Sequence, residues 1–173
     1  MKLARVGDVF KYKYPEWIDL VVSHASDGQV NVMPVGWSMI ASGSPHLYAV
    51  AIHTRHYTTE LIQASGEFVV AAPSAAMADA THYCGTHSGR AGDKIGPSGL
   101  VLVPATETET PLLKGAVYNL ECKLHSQVPC GDHVLFIGEV VAAHVDRQAG
   151  HRLVNFGTTW ACAQIVPGTE YRL

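Results

Sequence analysis

The chain has 173 residues, 47% of them hydrophobic and only 16% charged, with a formal net charge of −3. That length suits one domain over residues 1–173, and that apolar content excludes a disordered chain. The slightly acidic balance speaks against a nucleic-acid binder, and no uninterrupted apolar run is long enough to suggest a membrane span.

The first fourteen residues alternate charged and apolar types and lack an apolar signal core, so a cytoplasmic protein is expected. Asp19 to Ser26 reads as a strand, and Asp27-Gly28 as a hairpin turn. The return strand is Val30 to Trp37, where Pro34 should end it, bulge it or place it at an edge. His46 to His53 is a third, nearly continuous apolar strand.

The period then changes. From His56 to Ala64 the residues Tyr57, Leu61 and Ile62 fall at helical spacing, Thr58-Thr59 can cap, and Gly66 ends the helix. Glu67 to Ala72 is a strand. Ser74 is placed to cap a second helix running to about Cys84, and Gly85 to Gly99 is a long glycine-rich loop. Ala116 to Val128 and His133 to Asp146 form a long hairpin turned at Pro129 to Asp132. Weak strand signals follow at Leu153 to Phe156 and Thr158 to Ala163. Many strands with few helices point to a β-barrel or α+β barrel rather than a parallel sheet.

The chemistry-bearing residues sort into three classes. The ten histidines raise the question of metal. His82, Cys84 and His87 lie close together, as do His53 and His56, but neither set has an established zinc spacing. Cys84, beside His82 and His87, is a candidate activated thiol or a buried core residue. None of Cys84, Cys122, Cys130 and Cys162 forms a C-x-x-C pair, so reduced and mostly buried thiols are expected.

Anion binding is the stronger signal. Thr54-Arg-His-Tyr-Thr-Thr59 sits where a strand enters a helix, and the first turn of a helix leaves N–H groups free for a phosphate. Ser88-Gly-Arg-Ala-Gly-Asp-Lys94 offers a flexible backbone with Arg90 and Lys94. In a charge-poor chain, Arg55, Arg90 and Lys94 fall at the two places where the strand pattern breaks. No G-x-G-x-x-G after a strand and no P-loop is present.

These segments occur in a recognisable order. Val30-Asn-Val-Met-Pro-Val-Gly-Trp-Ser38 comes first, then Ala49-Val-Ala-Ile-His-Thr-Arg-His-Tyr-Thr58 and Gly66-Glu-Phe-Val-Val70. Cys84 to Lys94, Leu120-Glu-Cys-Lys123 and Gly131 to Val140 complete the set. In this order the sequence resembles the flavin reductase-like proteins with an FMN-binding split barrel, most closely the flavoredoxin-like branch. The resemblance implies a mainly β, α+β fold: a six-stranded antiparallel split β-barrel with two or three short helices. It further implies a homodimer holding FMN non-covalently, with NAD(P)H or another reductant as electron donor and a small molecule or protein as acceptor.

Carried over by position, Asn31, Trp37 and Ser38 would line the flavin. Arg55 and Thr58 would hold its phosphate, Ser88 and Lys94 would close the cofactor side, and His133 would sit near the isoalloxazine. No side chain is required as a catalytic acid or base, because the cofactor carries the redox chemistry. Pro34 departs from the family's usual hydroxyl residue and Ile95 from its usual Phe. The alternatives are a non-catalytic flavin- or haem-binding barrel and a His/Cys metalloprotein.

Overall fold

The computed structural model describes residues 2–157 and 160–162. A short helix α1 (Val6–Val9) and a 3-10 turn (Phe10–Lys13) precede the strands β1 (Glu16–Trp17), β2 (Asp19–His24), β3 (Val30–Val35), β4 (Ser38–Gly43) and β5 (His46–His53). Helix α2 (Tyr57–Ser65) and strand β6 (Glu67–Ala72) follow. Then come a 3-10 turn (Ala75–Met77), α3 (Ala78–Thr86), a 3-10 turn (Gly89–Ala91) and α4 (Ile95–Ser98). Strands β7 (Leu102–Val103), β8 (Leu112–Leu113), β9 (Tyr118–Cys130), β10 (His133–Val145), β11 (Leu153–Asn155) and β12 (Trp160–Cys162) complete the order.

The main sheet has seven antiparallel strands in the order β3-β2-β6-β9-β10-β5-β4. Laid flat, six strand spacings would hold its edges roughly 29 Å apart. Yet only Gly36 and Trp37 join edge strand β3 to edge strand β4, a link that spans at most about 11 Å. The sheet must curl until that corner meets, and this makes the expected split barrel. It has one strand more than the six expected: β4, whose Ser-Met-Ile-Ala-Ser-Gly sequence has no period-2 pattern. Pro34 lies on the edge strand, where a missing N–H costs no ladder bond.

Alternation along the strands divides the core in two. Val21, Val50, Ile52, Phe68, Val70 and Phe136 fill the barrel. Leu20, Val22, Val32 and Val69 face outward and are covered by Met77, Cys84 and Leu100 from the helical excursion. Strand β2 is therefore buried on both faces, which explains its unbroken apolar run.

Helix boundaries differ from expectation in three ways. His56, not Thr58 or Thr59, occupies the N-cap of α2, and its side chain makes no cap bond; Thr59 instead donates its hydroxyl back to the His53 carbonyl at 3.0 Å. Ser74 stands at a helix start without capping it, and a 3-10 turn intervenes before α3. The loop after Cys84 holds the end of α3, a 3-10 turn and α4. The expected tail strands appear as β11 and β12, although Thr158, Thr159 and Ala163 lie outside the described residues.

Candidate functional site

The N-terminus of α2 opens onto a pocket of about 290 Å³ between β3, α2, the end of α3 and the glycine-rich strap from Ser88 to Lys94. Five of the expected site residues line it: Asn31, Arg55, Thr58, Ser88 and Lys94. Among the described residues no side chain caps α2; the Thr59 N–H turns back to the His56 carbonyl at 3.1 Å, and those of Tyr57 and Thr58 are left at the pocket.

Lys94 is the most informative of the five. It is 3% exposed, and among the described residues no carboxylate lies within ion-pair distance of it. Burial pushes its ammonium down from the usual lysine range, partly offset by the neighbouring Cys84 thiol. Asp93 accepts N–H bonds from Ile95 and Gly96 at 2.8 and 3.0 Å, capping α4 and fixing the chain at Lys94. A charged side chain held out of water without a counterion is costly unless a ligand supplies one.

The other residues have distinct positions. The Asn31 amide donates to the Thr58 hydroxyl at 2.9 Å, joining β3 to α2 beneath the pocket. Ser88 accepts the Arg90 N–H at 3.3 Å. His56 lines the same pocket; burial, then the charges of His53, His133 and Lys94, push its imidazole down.

Beyond Met33, Pro34 and His56 the pocket continues into a hollow of about 180 Å³ lined by Trp37, Ala51, His53 and His133. Trp37 is 48% exposed, and its ring lies 4.8 Å from that of His133. His133 pairs with Asp132 at 2.6 Å. A third, largely apolar recess shares Trp37 and Ala51 with this hollow and adds Phe10, Tyr14, Met39 and Leu135. The whole is one groove with Arg55 and Lys94 at one end and mostly aromatic and apolar surface, with Lys13 at its rim, at the other.

Two residues prominent in the sequence lie apart from the cation end. Ser38 donates to the buried carboxylate of Asp19 at 2.7 Å and lines the apolar recess beside Trp37 rather than the Lys94 pocket. Arg90 is engaged by Glu60 in a bidentate pair, with Nη1 to Oε2 at 2.7 Å and Nη2 to Oε1; it clasps the strap from outside and does not line the pocket. Glu60 carried no sequence signal, because thirty residues separate it from its partner.

Cys84 is buried beside Lys94, and burial raises its thiol. His87 stacks on Tyr83 at 3.9 Å. Among the described residues no group of three or more His, Cys, Asp or Glu side chains is arranged to hold a metal ion. No helix among them is long and apolar enough to cross a membrane.

Comparison with known proteins matches residues 12–160 to the model of the flavin reductase like domain family. The NADH-dependent FMN reductase AsuE2 of Streptomyces nodosus subsp. asukaensis is 30% identical over 143 residues, covering 78% of this chain and 72% of that protein. The crystal structure of flavoredoxin from Methanosarcina acetivorans superposes with a TM-score of 0.85 at 26% identity, covering 98% of this chain and 95% of the other. An FMN-binding protein from Thermus thermophilus, solved with bound p-hydroxybenzaldehyde, gives a TM-score of 0.83 at 27% identity, covering 96% of this chain and all (100%) of the other.

Proposed function

The chain belongs to the flavin reductase like domain family, in its flavoredoxin-like branch, and we propose that it is an FMN-dependent oxidoreductase taking electrons from NAD(P)H. The observation that carries this reading is Lys94, a buried cation without a carboxylate partner among the described residues, facing the same pocket as the uncapped N-terminus of α2. That combination suits a phosphate monoester: N–H groups and an ammonium converge on one dianionic ligand. Arg55 adds a second cation at the pocket wall, and Thr58 and Ser88 add hydroxyls.

FMN, when bound, supplies hydride and electron transfer that no side chain of this protein can perform. The chain's own residues bind and orient. Lys94, Arg55 and the first turn of α2 hold the phosphate. The groove leads past Met33 and Pro34 to Trp37 and His133, beside which the ring system would lie. Asp132, by accepting from Nδ1 of His133, leaves Nε2 for the hollow, where it can hydrogen-bond a ring heteroatom. The apolar recess beyond Trp37 excludes water from the reacting face and leaves room for the nicotinamide or an acceptor.

The reading includes a homodimer. Trp37, Met39 and Ile40 are exposed on and beside edge strand β4, beside that recess. A second copy covering this apolar face would complete the wall of the groove and account for the charge-poor composition.

The test is a titration of the purified protein with FMN followed by visible absorbance, with riboflavin as the ligand that lacks the phosphate. FMN should bind at least tenfold more tightly, and anaerobic NADH or NADPH should bleach the bound flavin. Equal affinity for the two flavins would refute the phosphate site, and a flavin that neither nucleotide reduces would refute the donor. Light scattering that returns one chain's mass would refute the dimer.

A further inference from the structure

We propose that Glu60 and Arg90 are positioning residues that hold the Ser88–Lys94 strap over the anion pocket and set how fast a phosphorylated ligand leaves it. The inference rests on the phosphate-site reading above. Its geometry stands independently.

The pocket has two halves that the chain joins only at a distance. The junction leading into α2 contributes Arg55, the first turn of α2 contributes Tyr57 and Thr58, and the strap contributes Ser88 and Lys94. Glu60 lies one turn further along α2, and Arg90 lies at the outer crest of the strap. Their bidentate pair therefore bridges the two halves on the solvent side. The Arg90 guanidinium also sits 5.0 Å over the ring of Tyr57, itself a wall of the pocket.

Besides the clasp, one hydrogen bond and one packing contact, both at Gly89, hold the strap's centre among the described residues. Gln29 donates to the Gly89 carbonyl at 3.2 Å, and Gly89 rests so close to the barrel that a Cβ there would meet Asn31 Oδ1 at 2.4 Å. Gly92, at φ +144°, provides a joint that other residues rarely adopt. Ser88 and Gly89 lie on the clasped side of that joint and line the pocket, whereas Lys94, on its far side, is held by the Asp93 cap of α4. The clasp thus acts through Ser88 and Gly89, which cover the pocket, and touches no ligand itself.

The sign of the charge effect separates this role from simple electrostatics. Glu60 is an anion near an anion site. By charge alone, removing it should slow the release of a phosphate. If it clasps the strap, removing it should speed release. The pair is exposed, so its strength should also fall with salt.

The experiment measures FMN release from the full chain by stopped flow in the wild type, Glu60→Ala, Arg90→Ala and the exchanged pair Glu60→Arg with Arg90→Glu. Release should be about fivefold faster in either single variant and return to within about twofold of wild type in the exchanged pair. Salt should speed release in every protein, through the phosphate contacts, and by a larger factor in the wild type than in the single variants. Unchanged or slower release in Glu60→Ala, or an exchanged pair no better than the singles, overturns the proposal. Should the wild type bind no FMN, the phosphate-site reading fails. The clasp is then decided by amide hydrogen exchange of residues 88–94 in the ligand-free chain. Faster exchange in Glu60→Ala supports it, and identical exchange overturns it.

Discussion

The side-chain amide of Asn31 and the hydroxyl of Thr58 are hydrogen-bonded to each other at 2.9 Å, beneath the pocket both of them line. Asn31 also donates to Ser23 at 3.4 Å, and the Thr58 hydroxyl turns its own hydrogen toward Met33 Sδ at 3.7 Å. Both residues are almost fully buried. Their first effect is to lock β3, β2 and α2 together, so that the helix N-terminus faces the groove.

Asn31→Ala should therefore cost stability before it costs chemistry. It removes two buried hydrogen bonds and leaves Thr58 without its donor, a loss of about 1–3 kcal/mol. Urea unfolding should show a lower midpoint with an unchanged slope, and FMN affinity should fall less than in a Lys94 variant. A variant as stable as the wild type would refute this structural role.

Lys94→Met should do the opposite to stability. The ligand-free protein keeps a buried ammonium without a carboxylate partner among the described residues; methionine fills similar space without that desolvation cost. Burial lowers the folded-state value of Lys94, so the unfolded chain binds its proton more tightly. The penalty is complete below the lowered value and is relieved as pH rises through it toward the ordinary 10.5. The thermal midpoint of the ligand-free variant should rise at neutral pH, while its FMN affinity falls roughly 10–100-fold. A midpoint that falls together with affinity would make Lys94 a structural residue instead.

Much of this site was legible in the sequence because its parts are local. The strand-to-helix junction at Arg55–Thr58 and the glycine-rich stretch with Ser88 and Lys94 are each read from a few neighbours, and both face one pocket. The barrel's strands were legible wherever burial on one or both faces left a pattern, as in β2. Strand β4 was not, because as an edge strand it mixes Ser, Ala and Gly with exposed Met39 and Ile40. Partners distant in sequence were also out of reach. Ser38 is drawn to Asp19, which also accepts from Tyr48, Tyr118 and Arg152. Arg90 is drawn to Glu60. Each polar residue has a plausible ligand role on paper, and only the fold shows which of them already has a protein partner.

The thiols divide by position. Cys84 and Cys122 are buried and free, whereas Cys130 is exposed at the tip of the long hairpin. Burial raises the Cys84 thiol, and burial together with the Glu121 charge raises that of Cys122 to about 12. Thiolate, not thiol, is the nucleophile, so neither buried cysteine should react readily in the native state. In a Cys162→Ser background, which removes the cysteine whose side chain is not described, a thiol reagent should label one group quickly, and Cys130→Ser should abolish that phase. Rapid native labelling of Cys84 would show that the strap and α3 open far more often than this packing allows.

Glu121 makes the most specific prediction about pH. Its carboxylate is fully buried and accepts the N–H groups of Thr106, Glu107 and Thr108 at 2.9, 2.8 and 2.9 Å. It also accepts the hydroxyls of Thr106 and Thr108 and pairs with His144 at 2.7 Å. Burial alone would raise this carboxyl, but the hydrogen bonds outweigh it and hold it at about 2, against an ordinary 4.5. Folding therefore favours the ionised form. The resulting stability is complete above about pH 4.5 and is lost progressively as pH falls toward 2. Glu121→Gln turns an acceptor into a group whose NH₂ confronts other donors, at a cost of roughly 2–4 kcal/mol at neutral pH. Thermal unfolding across this acid range should show the wild-type midpoint dropping steeply and the variant's, already low, dropping less. Parallel curves for the two proteins would mean that the acid sensitivity of this barrel arises at another carboxylate.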